Sequence, residues 1–162
     1  MPRPALHFPA RLLRCALLSF ACLAVLPASG QDSMQQLRQQ VATDKKQMVA
    51  ANMSLTAAEA DAFWPIYEQY QKELRAINER LAAAIVSYAK EYNAGTFTDE
   101  RALQLLKETM AADEAEGRAR QGLVAKLTPV LPGRKLARYL QIETKVRAVV
   151  NYEIAAEVPL VR

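Results

Sequence analysis

The chain has 162 residues, with 21 Lys plus Arg, 17 Asp plus Glu, one His and two Cys, and a formal net charge of +4. The basic excess sits at one end: Arg3, His7, Arg11, Arg14, Cys15 and Cys22 crowd the start, and no acid precedes Asp32. Setting aside residues 1–30 removes three of the 21 basic residues, leaving 18 against 17 acidic ones, a net +1 with no Cys and no His. That remainder excludes thiol catalysis, Ser-His-Asp triads and ordinary zinc or copper sites. It also lacks the basic surplus of a nucleic-acid binder.

Residues 1–30 have three parts in the order of a secretory signal. A basic start is followed by the uncharged apolar run Cys15–Leu26, then by Pro27 and the small residues Ala28, Ser29 and Gly30 before Gln31. The run is shorter than the ~20 residues of a transmembrane helix. The expectation is a signal peptide over 1–30, cleaved after Gly30, and a single helical domain over 31–162. The protein would then be periplasmic, with no stable membrane insertion after cleavage. An uncleaved N-terminal anchor is the alternative.

Apolar spacing beyond residue 31 is helical throughout, with no run of alternating β-branched and polar residues. Four helices are expected. The first spans about Ser33 to Met53, is rich in Gln, and presents Leu37, Val41, Met48 and Val49. The second opens at Thr56, whose hydroxyl can cap the first turn while Glu59 reaches back in a capping box. Along it Phe63, Tyr67, Tyr70, Leu74, Ile77, Leu81, Ala84 and Tyr88 recur by fours and threes, the spacing of a bundle seam. Trp64 lies beside that seam. Pro65 removes one helical hydrogen bond, and Asn93-Ala94-Gly95 is a glycine stop.

The third helix runs from Thr98 to about Leu127, with Asp99 and Glu100 at its positive end. Its middle is thin (Ala111, Ala112, Ala115, Gly117, Ala119, Gly122). The two interior glycines mark either a close neighbour or bend, or a tolerant surface. Thr128-Pro129-Val130-Leu131-Pro132 ends it, because two prolines in four residues cannot continue a regular helix. The fourth helix runs from about Gly133 to Glu157, with the stripe Leu136, Tyr139, Leu140, Val146, Val149, Val150 and Ile154, and Pro159 as its stop. Glu143 lies on the line of this stripe, with Arg147 one turn later. That spacing suits an ion pair at the rim, and a functional buried carboxylate is the other reading. Short connections make consecutive helices antiparallel. At ~1.5 Å per residue, helices two and three would each extend about 45 Å or more. The expected fold is therefore all-α, an elongated four-helix hairpin with long antiparallel helices two and three. It would leave apolar surface open for dimerisation or client binding.

Little catalytic chemistry remains. No glycine-rich phosphate loop is present. Asp113, Glu114 and Glu116 read as a solvated acidic patch near Arg118 and Arg120, because two carboxylates on one face make a poor cation site. No cofactor, metal or catalytic residue is expected. The aromatic residues Phe63, Trp64, Tyr67 and Tyr70, with Leu74, Tyr88 and Tyr92, are either core or a surface that grips a client or a second copy.

Leu55-Thr56-Ala57-Ala58-Glu59 and Leu127-Thr128-Pro129-Val130-Leu131 resemble the paired LTxxQ motif of small periplasmic helical proteins, the Spy/CpxP group. Glu59 and Leu131 stand where that motif has Gln. The stretch from Tyr139 to Val161 is also similar to the C-terminus of a proteobacterial branch of secreted proteins. The resemblance implies a hooked hairpin that dimerises into a cradle. Its implied work is ATP-independent chaperoning of unfolded envelope proteins, or modulation of an envelope-stress sensor, with Leu55, Thr56, Glu59, Leu127 and Thr128 as motif and cap positions. Two other readings stand beside it. One is a helical adaptor docking on a single envelope partner. The other is an all-helical secreted lyase or mutase binding anions through Arg75, Arg80, Arg118 or Arg138. A Skp-like chaperone would need a small strand core, which this pattern does not offer.

Overall fold

The structure, a computed structural model, describes residues 43–161. The expected signal peptide over 1–30, and the part of the first helix before residue 43, lie outside the described residues. The fold is all-α, with no strand among the described residues. The elements are α1 (43–53), α2 (Ala57–Ala94), α3 (Asp99–Leu127) and α4 (Gly133–Glu157). No described helix is long and apolar enough to cross a membrane. Contacts divide the chain into two units, Met1–Ala51 and Asn52–Arg162. In the first, residues 43–51 are helical. The second holds α2, α3, α4 and the turn before them.

Local signals mark the helix boundaries of this second unit. Thr56 caps α2: its Oγ1 accepts from the Glu59 amide at 3.3 Å, and Glu59 Oε2 accepts from the Thr56 amide at 2.8 Å. The full capping box satisfies two amides that the first turn would otherwise leave open. α2 then continues through Pro65 to Gly95, which takes φ 68°; the Thr96 amide reaches back to the Glu91 carbonyl at 3.0 Å. This left-handed stop suits a residue without Cβ. Thr98 caps α3 by accepting from the Arg101 amide at 3.3 Å. Thr128 closes α3, donating its hydroxyl to the Val124 carbonyl at 2.7 Å. Its backbone is still right-handed helical, so it belongs to the end of α3. The start of α4 falls to Pro132, which has no side-chain cap.

α2 and α3 pack against each other in opposite directions. Beside their turn, Arg101 bonds Glu91 at 3.1 Å and Phe97 meets Tyr88 edge-on at 4.8 Å. At the far end Ile66 and Tyr70 share a pocket wall with Ala119 and Leu123. α4 runs back along α2 in the same direction, with Lys135 on Glu59, Tyr139 on Phe63 and Gln71 on Glu143. Arg147 of α4 forms an ion pair with Glu116 of α3. Six seam positions of α2 are buried: Phe63, Tyr67, Tyr70, Ile77, Ala84 and Tyr88. Leu74 and Leu81 are half-buried. The largest fully buried side chains of this unit are Tyr139, Phe63, Met53 and Leu127. All four belong to the end where the chain enters α2 and leaves α3.

Gly117 and Gly122 have no unusual backbone angle, and a Cβ added at either meets nothing within 4 Å. Nothing described in this chain explains them as close contacts. Gly117→Ala and Gly122→Ala should each stabilise the protein by about 1 kcal/mol, the helical cost of glycine relative to alanine, in urea unfolding. A loss of stability in either variant would contradict the open space around these two positions.

Candidate functional site

Two features of the second unit bear on function: a buried aromatic and polar seam between α2 and α4, and apolar side chains left in solvent on α3 and α4. The seam is built from one helical face each of α2 and α4. Tyr139 is fully buried and lies edge-on to Phe63, with centroids 5.1 Å apart and planes at 88°. Tyr67 completes the cluster at 6.0 Å from Tyr139, and Trp64 packs edge-on against Phe63 and Tyr67 at 5.0 and 5.3 Å. Such edge-to-face pairs add about 0.5–1.5 kcal/mol each beyond the area they bury.

A polar strip runs along the same seam. Gln71 donates to Glu143 Oε1 at 3.0 Å and to the Tyr139 hydroxyl at 3.5 Å. Glu143 is buried, which corrects the expectation of a rim ion pair, while Arg147 reaches across to Glu116 on α3. Glu143 falls on the inner line of α4, one turn after Tyr139, and Gln71 is there to satisfy it. Glu116 likewise leaves the expected acidic patch to face Arg147, whereas Glu114 stays in solvent with Arg118 at 3.5 Å.

The tyrosines here are held in their protonated form. Burial raises Tyr67 to about 12 from the ordinary 10.0, with the Glu143 charge adding to the shift. Tyr70 is raised for the same two reasons in the same order, against Arg120 and Arg147. Tyr139 is raised furthest, again by burial first and then by Glu143. Groups in this state donate hydrogen bonds; they do not act as bases or nucleophiles near neutral pH.

The aromatic row expected to serve as a client or dimer surface is therefore placed differently. Phe63, Tyr67, Tyr70 and Tyr88 are buried by this chain's own helices. Trp64, Leu74 and Tyr92 are half-buried. Tyr88 packs against Tyr92 at a tilt and against Phe97 edge-on, and donates its hydroxyl to the Pro159 carbonyl at 3.0 Å. The seam spacing that makes α2 amphipathic is also what buries these rings. Of the cap positions, Thr56 and Glu59 form the box described above, Leu55 is half-buried, Leu127 is buried and Thr128 ends α3. Of the candidate anion-binding arginines Arg75, Arg80, Arg118 and Arg138, the last three have separate contacts. Arg80 bonds the Ala76 carbonyl of its own helix, Arg118 bonds Glu114, and Arg138 bonds the Asn52 carbonyl.

The open apolar surface lies elsewhere. Leu103, Leu106 and Met110 recur at the spacing of one helix face on α3, and each is more than half exposed; Leu103 reaches 60%. On α4 the packing stops midway. Residues 148–157 are all exposed, among them Val149, Val150, Ile154 and Tyr152, the last at 77%. Between α2 and α3 near their turn lies a groove of about 460 Å³ floored by Leu81, Ala84, Ala111 and Ala112. At its side Arg101 is fixed by Glu91 and by Glu108 at 3.3 Å. Sequence reasoning missed the α3 stripe, although the spacing of 103, 106 and 110 was available to it.

Comparison with family models, curated proteins and solved structures finds no match.

The tyrosine environments give a stability signature. As pH rises from about 10, the unfolded chain loses tyrosine protons that the folded chain keeps, so the folded state loses stability progressively toward pH 12 and above. Urea unfolding at a series of alkaline pH values should show this fall, and Tyr67→Phe should make it shallower. A stability that does not change between pH 9 and 12 would contradict the buried placement of these rings.

Proposed function

We propose that the protein is a non-enzymatic binding protein of the bacterial envelope, an ATP-independent holdase or envelope-stress modulator of the Spy/CpxP type. The observation that carries this reading is the exposed apolar surface of α3 and α4. Large apolar side chains grouped on solvent faces mark interaction sites in soluble proteins. The site residues are thus Leu103, Leu106 and Met110 on α3, with Val149, Val150, Tyr152 and Ile154 on α4, in place of the buried aromatic row of α2. Export by residues 1–30 to the periplasm, release from the membrane after cleavage, and a homodimer as the working form belong to the same reading. So do its partners, unfolded envelope proteins or one envelope sensor. It assigns the chain no cofactor and no nucleic-acid partner.

An aggregation assay with an unfolded client tests the proposal. The protein should suppress light scattering at stoichiometric amounts. Replacing Leu103, Leu106 and Met110 together by Ser should weaken that protection several-fold while helicity is kept. No protection by the unaltered protein would overturn the holdase reading. Crosslinking in the periplasm to one dominant partner would favour the adaptor reading instead.

A further inference from the structure

The short segment between α1 and α2 is held by α4 through contacts that the proposed binding role does not use. Lys135 Nζ donates to the Ser54 carbonyl at 2.8 Å and to Glu59 Oε2 at 2.5 Å. One turn later Arg138 donates to the Asn52 carbonyl at 3.3 Å. Two cations of α4 thus reach carbonyls at and just past the end of the preceding helix, the place where positive charge is favoured. Within the segment, Ser54 has φ 46°, a left-handed backbone that a residue with Cβ adopts only when its surroundings hold it there. Met53, between the two bonded carbonyls, is fully buried.

Glu59 joins these contacts. The same carboxylate oxygen accepts from the Thr56 amide, closing the capping box, and from Lys135. Lys135 is the charged group that reaches Glu59 from α4, and Thr56 supplies the neutral contacts from the segment itself. Uncharging this one group weakens the α2 cap and the α4 clamp together. A left-handed Ser54 then has less to hold it.

We propose that residues 52–56 form a strap that α4 holds shut through Lys135 and Glu59, and that acid releases, uncovering Met53. The Lys135 hydrogen bond, followed by the Thr56 amide, holds the Glu59 carboxyl below its ordinary 4.5. The clamp is therefore complete above about pH 4.5 and is lost as the pH falls through the lowered value. Release adds an apolar side chain to the surface at the packed end of the unit, away from the α3 stripe. It is a conformational response distinct from the holdase reading and does not depend on it.

Methyl NMR of the full chain labelled at methionine tests the strap, with Met53 assigned from the spectrum of Met53→Leu. A soluble paramagnetic probe should broaden Met110, which is exposed, at every pH, and leave Met53 sharp at pH 7. Below about pH 4.5 Met53 should broaden several-fold while helicity by circular dichroism is retained. Lys135→Met should expose Met53 already at pH 7, and Glu59→Gln does the same test while keeping a side chain able to complete the capping box. The proposal is overturned if Met53 stays sharp until helicity collapses, or stays sharp at pH 7 in both variants.

Discussion

The burial of Tyr139 against α2 is the constraint on which the rest of the second unit depends. The ring fills the space beside Phe63 and Tyr67, and its hydroxyl lies in a line of polar groups with Gln71 and Glu143. A fully buried hydroxyl without a partner would cost about 1–3 kcal/mol. The apolar and polar requirements are met together only when α4 runs beside α2 in one register. That register also delivers Lys135 to Glu59, and Arg147 to Glu116 on α3. One helix face thus fixes the start of α2, the path of α4 and its link to α3.

The same constraint explains what is left open. Large side chains at the start of α2 and the end of α3 make a dense core with Met53, Leu127 and Leu131. Toward the α2–α3 turn the helices carry alanines, and a groove remains between them. Past Arg147, α4 has no comparable seam to follow. Its apolar residues stay in solvent until the Pro159 carbonyl meets Tyr88. Packing is therefore graded along the unit, and the apolar surface proposed for binding lies on the loosely packed portion. A surface of this kind is suited to partners of varied shape, since little of it is shaped by a rigid cavity.

Much of this fold was legible in the sequence because its helix signals are local. Thr56 and Glu59, Gly95, Thr98 and the prolines around Leu131 act within a few residues, and they place α2, α3 and α4 where the structure has them. The seam of α2 was legible for a similar reason, since a spacing of fours and threes has one physical meaning on a helix. What was not legible depends on distance between helices. Nothing near Glu143 in sequence announces Gln71, 72 residues away, so an i,i+4 partner was the nearest explanation. The stripe of α4 is continuous from Leu136 to Ile154, and only the neighbouring helices decide that Tyr139 is buried and Leu136, Leu140 and Val146 half-buried, while Val149, Val150 and Ile154 stay in solvent. The aromatic row of α2 was open to two readings because a core seam and a binding face share one periodicity.

Residue-resolved hydrogen exchange on the native protein measures this gradation directly. Local opening follows packing, and amides in loosely packed helix exchange through small fluctuations while core amides wait for larger ones. Amides of α4 in 135–147, the stretch that carries Tyr139 and Glu143, should exchange about two orders of magnitude more slowly than those in 148–157. In α2, those around Phe63 to Gln71 should be among the slowest. Equal protection along the whole of α4 would contradict the claim that the Tyr139 seam is what holds this helix in place.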